Sequence, residues 1–380
     1  MSSEDSCRAT ETLRLLAETC SIAVETLQQP PSTISSPAAT PACSVLHKDF
    51  LSLLTLVYTS TTKVALAFRP QEPAYKAALA PLRDLAGNVT ALTSCATLFD
   101  AHGATLAEEA RMVVKGVLEA VSAFASGFLD GSDYLVRTGA VHDLVDKAKR
   151  GFPTDNRAAI RSRWISDRGM LEDSLAEVMS MIEDNEDMDR DGDEDEEFDN
   201  DEWDELGLGS SKKMSEVELD HVKKIQPLLR FTTLLHKRVQ IDVLSNIPMA
   251  TSPNCLAPLD ALPAHSHALL VASEEVIASL YAPPDPSSIA SAISPLAESV
   301  RDLHATLLGG ELLPPRRADD QDVDALTRDV ASMTVGAGGA SRSAKQERDV
   351  RKWFDTCFKQ IEILSASIGD TLALEVMNAR

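Results

Sequence analysis

Apolar residues recur at threes and fours along most of this chain, and that spacing predicts helices rather than strands. Between Ala104 and Leu129, the residues Leu106, Ala110, Val113, Val117, Val121, Phe124 and Phe128 line one face of a helix. Val350, Phe354, Cys357, Ile361, Leu364, Ile368 and Leu372 do the same toward the C-terminal end. Val222, Ile225, Leu229, Leu235 and Val239 give a third clear stripe. No sustained two-residue alternation occurs, so the expected fold class is all-α.

Breakers divide the pattern. A first helix begins near Asp5 and closes at Pro30-Pro31, and PPSTISSPAATPA reads as a loop. Helices follow from about Leu46 to Phe68, from Ala74 to Phe99 with Pro81 kinking or splitting it, from Gly103 to Gly131, and from there to Arg150. Thr154 or Asp155 can cap a sixth helix carrying Ile160, Trp164, Ile165, Met170, Leu171, Leu175, Val178 and Ile182. These six helices, over 5–182, form the expected N-terminal bundle. Ser215 opens a long helix in which Ser215 and Glu218 fit a capping box and Pro227 is expected to introduce a kink. Helices from about Leu259 to Leu280 and from Ser287 to Leu308, a weaker one from Asp322 to Met333, and the final stripe make a second bundle over 214–380. A flexible gap is expected at 334–344.

Charge explains why there are two bundles. From Glu183 to Glu205 the chain carries 16 Asp or Glu residues and one Arg, which is −15 of the net −23. Like charges at this density repel and bury too little apolar surface to offset ordering, so 183–213 is expected to be a disordered acidic linker. The acidic balance argues against a nucleic-acid partner, which needs a basic face, and against docking on anionic lipid. The amino terminus lacks the apolar run of a signal peptide, and no stretch is expected to approach the roughly 20 apolar residues of a membrane span. On that reading the sequon Asn88-Val89-Thr90 does not meet the glycosylation machinery. Cys7, Cys20, Cys43, Cys95, Cys255 and Cys357 include no CxxC pair and read as reduced core thiols of a cytosolic or nuclear protein.

Candidate chemistry points to binding. Asp187, Asp189, Asp191 and Gly192 match positions 1, 3, 5 and 6 of a calcium loop, but position 12 is Phe198 in place of a bidentate Glu and position 8 is Glu194. The run is therefore read as a polyanion, not an EF-hand. GLGSSKK lacks phosphate-loop spacing, and His265 and His267 read as surface histidines without further ligands. No metal, cofactor or catalytic residue is assigned. Phe198 and Trp203 lie within the polyanion beside Asp201 and Glu202. The rings either anchor the linker on a bundle or form an acidic-aromatic docking motif, in which carboxylates steer a basic partner. Ser210, Ser211 and Ser215 adjoin the run as candidate sites for an acid-directed kinase, although Ser215 also has a capping role.

Several blocks resemble one family. TGAVHDLVDKAKRGFPTDNRAA (Thr138 to Ala159), the acidic insert with Trp203 followed by a helix holding Pro227, EEVIASLYAPPD (Glu274 to Asp285), and the helix around Val350 to Trp353 are together similar to the cyclin-D-interacting (GCIP) proteins. The resemblance covers most of the chain in order, though Ser287 to Asp349 fits only loosely. It implies two all-α domains, no catalytic residues, and a cytoplasmic and nuclear location. It also implies protein partners: in animals the family binds D-type cyclins, helix-loop-helix factors and signalling adaptors, and dampens cell-cycle progression. The expected function is a non-enzymatic interaction regulator using bundle grooves and an acidic docking segment. The alternative is an acidic chaperone for histones or other basic proteins acting through 187–205.

Overall fold

A computed structural model describes residues 3–29, 41–69, 73–131, 133–188, 214–245, 256–281, 285–314 and 344–378. Among the described residues the structure is helical with no strand, as the apolar spacing predicts. The acidic run beyond residue 188, the predicted helix Asp322–Met333 and the predicted gap up to residue 343 lie outside the described residues, as does Cys255; 183–188, expected as linker, and residue 344, expected as gap, are helical.

Contacts divide the chain into two compact units, 1–162 and 163–380. The first is built from α1 (Ser3–Gln28), α2 (Cys43–Ala67), α3 (Tyr75–Leu98), a short 3-10 turn (Phe99–His102), α4 (Ala104–Asp130) and α5 (Tyr134–Gly151). Neighbours follow the cyclic order α1, α3, α2, α5, α4, which closes a five-helix bundle. Each helix buries one stripe, including Leu13 and Leu16 of α1, Phe50 and Leu54 of α2, Leu85 and Leu92 of α3, and Val114, Val121 and Phe124 of α4. Phe50, Phe99 and Phe152 meet at one end with ring centroids 4.5 to 5.6 Å apart. Pro81 leaves α3 a single helix.

Two of these helices correct an expectation. By length and composition, Cys43–Ala67 and Ala104–Asp130 are apolar enough to cross a membrane. Here their apolar stripes form the core of the first unit, and small residues such as Ala107, Ala110 and Ala125 raise the hydropathy further.

α6 (Asn156–Met188) starts in the first unit and runs on in the second. The sequence reading closes the first bundle at residue 182. The contacts instead assign Trp164, Leu171 and Val178, all buried, to the second unit. That unit adds α7 (Glu216–Arg238), a π-helical turn (Val239–Leu244), α8 (Leu256–Ala278), α9 (Pro286–Gly309) and α10 (Ala344–Asn378). α8 packs on α9, α9 on α10, and α10 on α7.

Local chemistry sets the helix starts. Asp155, not Thr154, caps α6 by accepting from the Ala158 amide at 2.8 Å. At α7 the capping box is complete: the Ser215 hydroxyl accepts from the Glu218 amide at 3.3 Å and the Glu218 carboxylate accepts from the Ser215 amide at 2.7 Å. α7 continues through Pro227 as one helix. α4 has no such local cap, because Gly103 precedes it. Its Leu106 amide donates instead to the Asn156 side chain at 2.9 Å, a capping bond from the first residue of α6.

Candidate functional site

Of the residues singled out in the sequence, Phe198, Asp201, Glu202, Trp203, Ser210 and Ser211 lie outside the described residues. Ser215 is exposed and occupied as the α7 cap. His265 is not a surface residue: it is half-buried and bonded to the Thr306 hydroxyl at 2.8 Å. Burial lowers its pKa, opposed by the Asp302 charge. His267 is exposed.

The densest polar group in the second unit was not legible in the sequence. His236 stacks on Trp164, with centroids 4.3 Å apart and planes 14° apart. The Trp164 indole donates to the His236 carbonyl at 2.9 Å. The His236 Nε2 lies 2.8 Å from the Ser266 hydroxyl, which donates to Asp167 Oδ2 at 2.5 Å. Burial, reinforced by the Arg168 charge, pushes the His236 pKa down to about 3, so the ring is neutral.

Serine, histidine and aspartate therefore meet, but in an order unsuited to nucleophilic catalysis. A triad needs the imidazole between hydroxyl and carboxylate, so that the ring takes the hydroxyl proton. Here the hydroxyl lies between the two. Its single proton goes to Asp167, which makes Nε2–H the donor to Ser266 and leaves Nδ1 bare and without a partner. Ser266 and His236 are both fully buried. The group pins α6, α7 and α8 to one another. Arg168 adds to it by donating to Gln240, within the π-helical turn, at 3.1 Å.

Three buried thiols are equally closed to chemistry, whereas Cys7 is exposed and is not the core thiol expected of it. Burial pushes Cys20 and Cys357 up to about 12 and Cys95 up to about 11, far from a reactive thiolate.

The open feature of the second unit is a groove along α9 and α10. The helices run antiparallel: Arg351 donates to the Pro314 carbonyl at 3.3 Å, and His304 stacks on Phe358 with centroids 4.0 Å apart. From Ala290 to His304 on one side and from Asp355 to Gly369 on the other, each wall covers fifteen residues, about 21 Å from first to last at the α-helical rise. The volume is about 570 Å³. Ile293, Val300, Phe358 and Ile361 form a buried apolar floor. Ala290, Ala297, Ser365, Ala366 and Gly369 keep the walls low, and a Cβ added at Gly369 would meet nothing within 4 Å. A smaller groove of about 300 Å³ lies in the first unit between α4 and α5, past Met112, Gly116 and Leu144.

Two family models match the chain. The one described as Grap2 and cyclin-D-interacting, N-terminal, matches residues 49–184, and the one described as Grap2 and cyclin-D-interacting, C-terminal, matches residues 199–305. No individual curated protein matches.

Proposed function

Because the chain belongs to the Grap2 and cyclin-D-interacting family, we propose that it is a non-enzymatic regulator of cell-cycle progression or transcription that works by binding other proteins in the cytoplasm and nucleus. Its partners on this reading are a cyclin, a helix-loop-helix factor or a signalling adaptor. They are engaged as helices in bundle grooves, with the acidic segment Glu183 to Glu205 as an accessory that attracts basic surfaces.

One observation carries the docking mode. The groove along α9 and α10 has an apolar floor, small-residue walls and the length of a four-turn helix, all on rigid elements. The buried Trp164–His236–Ser266–Asp167 group supports the non-enzymatic part, since its proton order suits a structural pin.

The alternative keeps one specific feature in view: the charge of −15 over 23 residues, which suits a chaperone for histones or other basic proteins. The two readings differ in their response to salt. Polyanion binding weakens steeply between low and moderate ionic strength, whereas apolar groove binding changes little. The test is binding of a recombinant D-type cyclin and of core histones to the full chain and to a variant lacking 183–205, at two salt concentrations. Cyclin binding by both proteins at both salts supports the regulator. Histone binding by the full chain alone, lost on raising salt, supports the chaperone.

A further inference from the structure

The two side chains that cap α7 also form a modification motif. Ser215 and Glu218 close the capping box, and a serine with a carboxylate three residues on is what an acid-directed protein kinase reads. Glu216 adds a carboxylate directly after the serine. Ser210 and Ser211 lack the feature, because Lys213 and Met214 stand at the corresponding positions. Among the described residues Ser174, Ser180, Ser299 and Ser367 have a carboxylate at that spacing, but each lies inside a helix. Drawing any of these along a kinase cleft would unwind turns on both sides, and the Ser180 hydroxyl already donates to Asp184 at 3.1 Å. Ser215 is exposed, its backbone is extended with φ −64° and ψ 158°, and on its C-terminal side presentation requires opening of the first turn of α7.

We propose that Ser215 is a phosphorylation site for an acid-directed serine kinase, and that the phosphate replaces the capping box with a cap of its own. The γ-phosphoryl group of ATP passes to the Ser215 Oγ, ADP leaves, and the hydroxyl proton is released to the kinase's base and solvent. The new group brings a charge of about −1.5 to −2 and three acceptor oxygens to the amino end of α7, where first-turn amides and the helix dipole favour an anion. It accepts from the amides of Val217 and Glu218. The Glu218 carboxylate, now beside a like charge, leaves the Ser215 amide that it holds at 2.7 Å. The first turn gains an acceptor and the residue before it loses one.

The charge also reaches beyond the cap. Between Glu205 and Glu216 the sequence carries two charges, both positive, on Lys212 and Lys213. A doubly charged phosphate cancels them. Phosphorylation thereby joins the acidic run to the acidic first turn of α7, at Glu216 and Glu218.

The test treats the full chain with ATP and a purified kinase of the casein-kinase type, and locates phosphate by fragmentation mass spectrometry. Phosphate should appear on Ser215. Glu218→Gln separates the two roles, because glutamine also serves in a capping box whereas the kinase needs the charge. In that variant first-turn exchange and the urea midpoint should match wild type, while incorporation at Ser215 should slow roughly tenfold, the size of one lost charge-assisted contact. Glu216→Gln lies outside the box and should also slow incorporation. In the phosphorylated wild type, amide exchange read by NMR should slow roughly two- to fivefold at Val217 and Glu218, and should quicken at Ser215. Modification confined to Ser180, Ser210 or Ser211, no modification at all, or wild-type rates in both glutamine variants would overturn the site. Exchange that is unchanged on phosphorylation, or faster at all three amides, would overturn the replacement of the box.

Discussion

Replacing Asn156 by alanine should loosen the start of α4, fifty residues earlier in the chain. Gly103 precedes α4 with φ +124°, a conformation that L side chains rarely adopt, and a Cβ there would lie 2.1 Å from Asn156 Cγ. The glycine thus makes room for the asparagine, and the asparagine supplies the cap that glycine lacks. Losing a cap costs about 0.5–2 kcal/mol, and stranding a buried amide costs about 1–3 kcal/mol. Leu106 is fully buried, so about 2 kcal/mol is expected for Asn156→Ala. Gly103→Ala should cost more, because it adds backbone strain of about 1–3 kcal/mol and also expels the asparagine side chain. In the double variant the cap is lost once, not twice, so the combined cost should fall short of the sum by about 2 kcal/mol. Hydrogen exchange read by mass spectrometry on the full chain isolates the effect without requiring two-state unfolding of a two-unit protein. Amides 104–107 should exchange about thirtyfold faster in Asn156→Ala. Additive single-site costs, or unchanged exchange at 104–107, would refute the pairing.

Three further outcomes are expected. Ser266→Ala leaves the Asp167 carboxylate and the His236 Nε2–H without their shared partner, so stability to urea should fall by about 2–3 kcal/mol, and Ser266→Thr should not restore it because the extra methyl has no space at a fully buried site. His236 titrates near 3 when folded and near 6.5 when unfolded, so the unfolded chain binds the extra proton. Its contribution is present above pH 6.5 and is lost as pH falls from there toward 3. The unfolding free energy from urea titrations should drop with a slope of up to about 1.4 kcal/mol per pH unit, reduced by one proton's worth in His236→Asn; burial shifts His142 and His265 in the same direction. Ser215→Ala should cost about 1 kcal/mol, and Glu218→Ala should raise exchange at the same first-turn amides of α7; a silent pair would mean that the capping box contributes nothing.

What could be read in advance was local. The stripe from Leu106 to Phe128 and the one from Val350 to Leu372 reported their helices because one buried face repeats at helical spacing. Ser215 with Glu218 was legible because both halves of the box lie within one turn. What failed was everything set by distant partners. Asn156 looks like an ordinary first-turn residue until Leu106 is placed beside it. His236, Ser266 and Asp167 come from three helices, and nothing in their spacing joins them. The apolar spacing in α6 predicts a buried face but not that Trp164 stacks on His236. The groove was equally silent: Ala297, Ser365 and Gly369 read as unremarkable helix positions, and only the pairing of α9 with α10 makes them its low walls.

The most direct test of the central claim is an affinity purification from the native cell, with wild type beside a variant lacking Glu183 to Glu205, at low and moderate salt. The account predicts that a cyclin or transcription factor is recovered by both proteins at both salts. Recovery of histones or other basic proteins by wild type only, lost on raising salt, would contradict it and place the function in the acidic run.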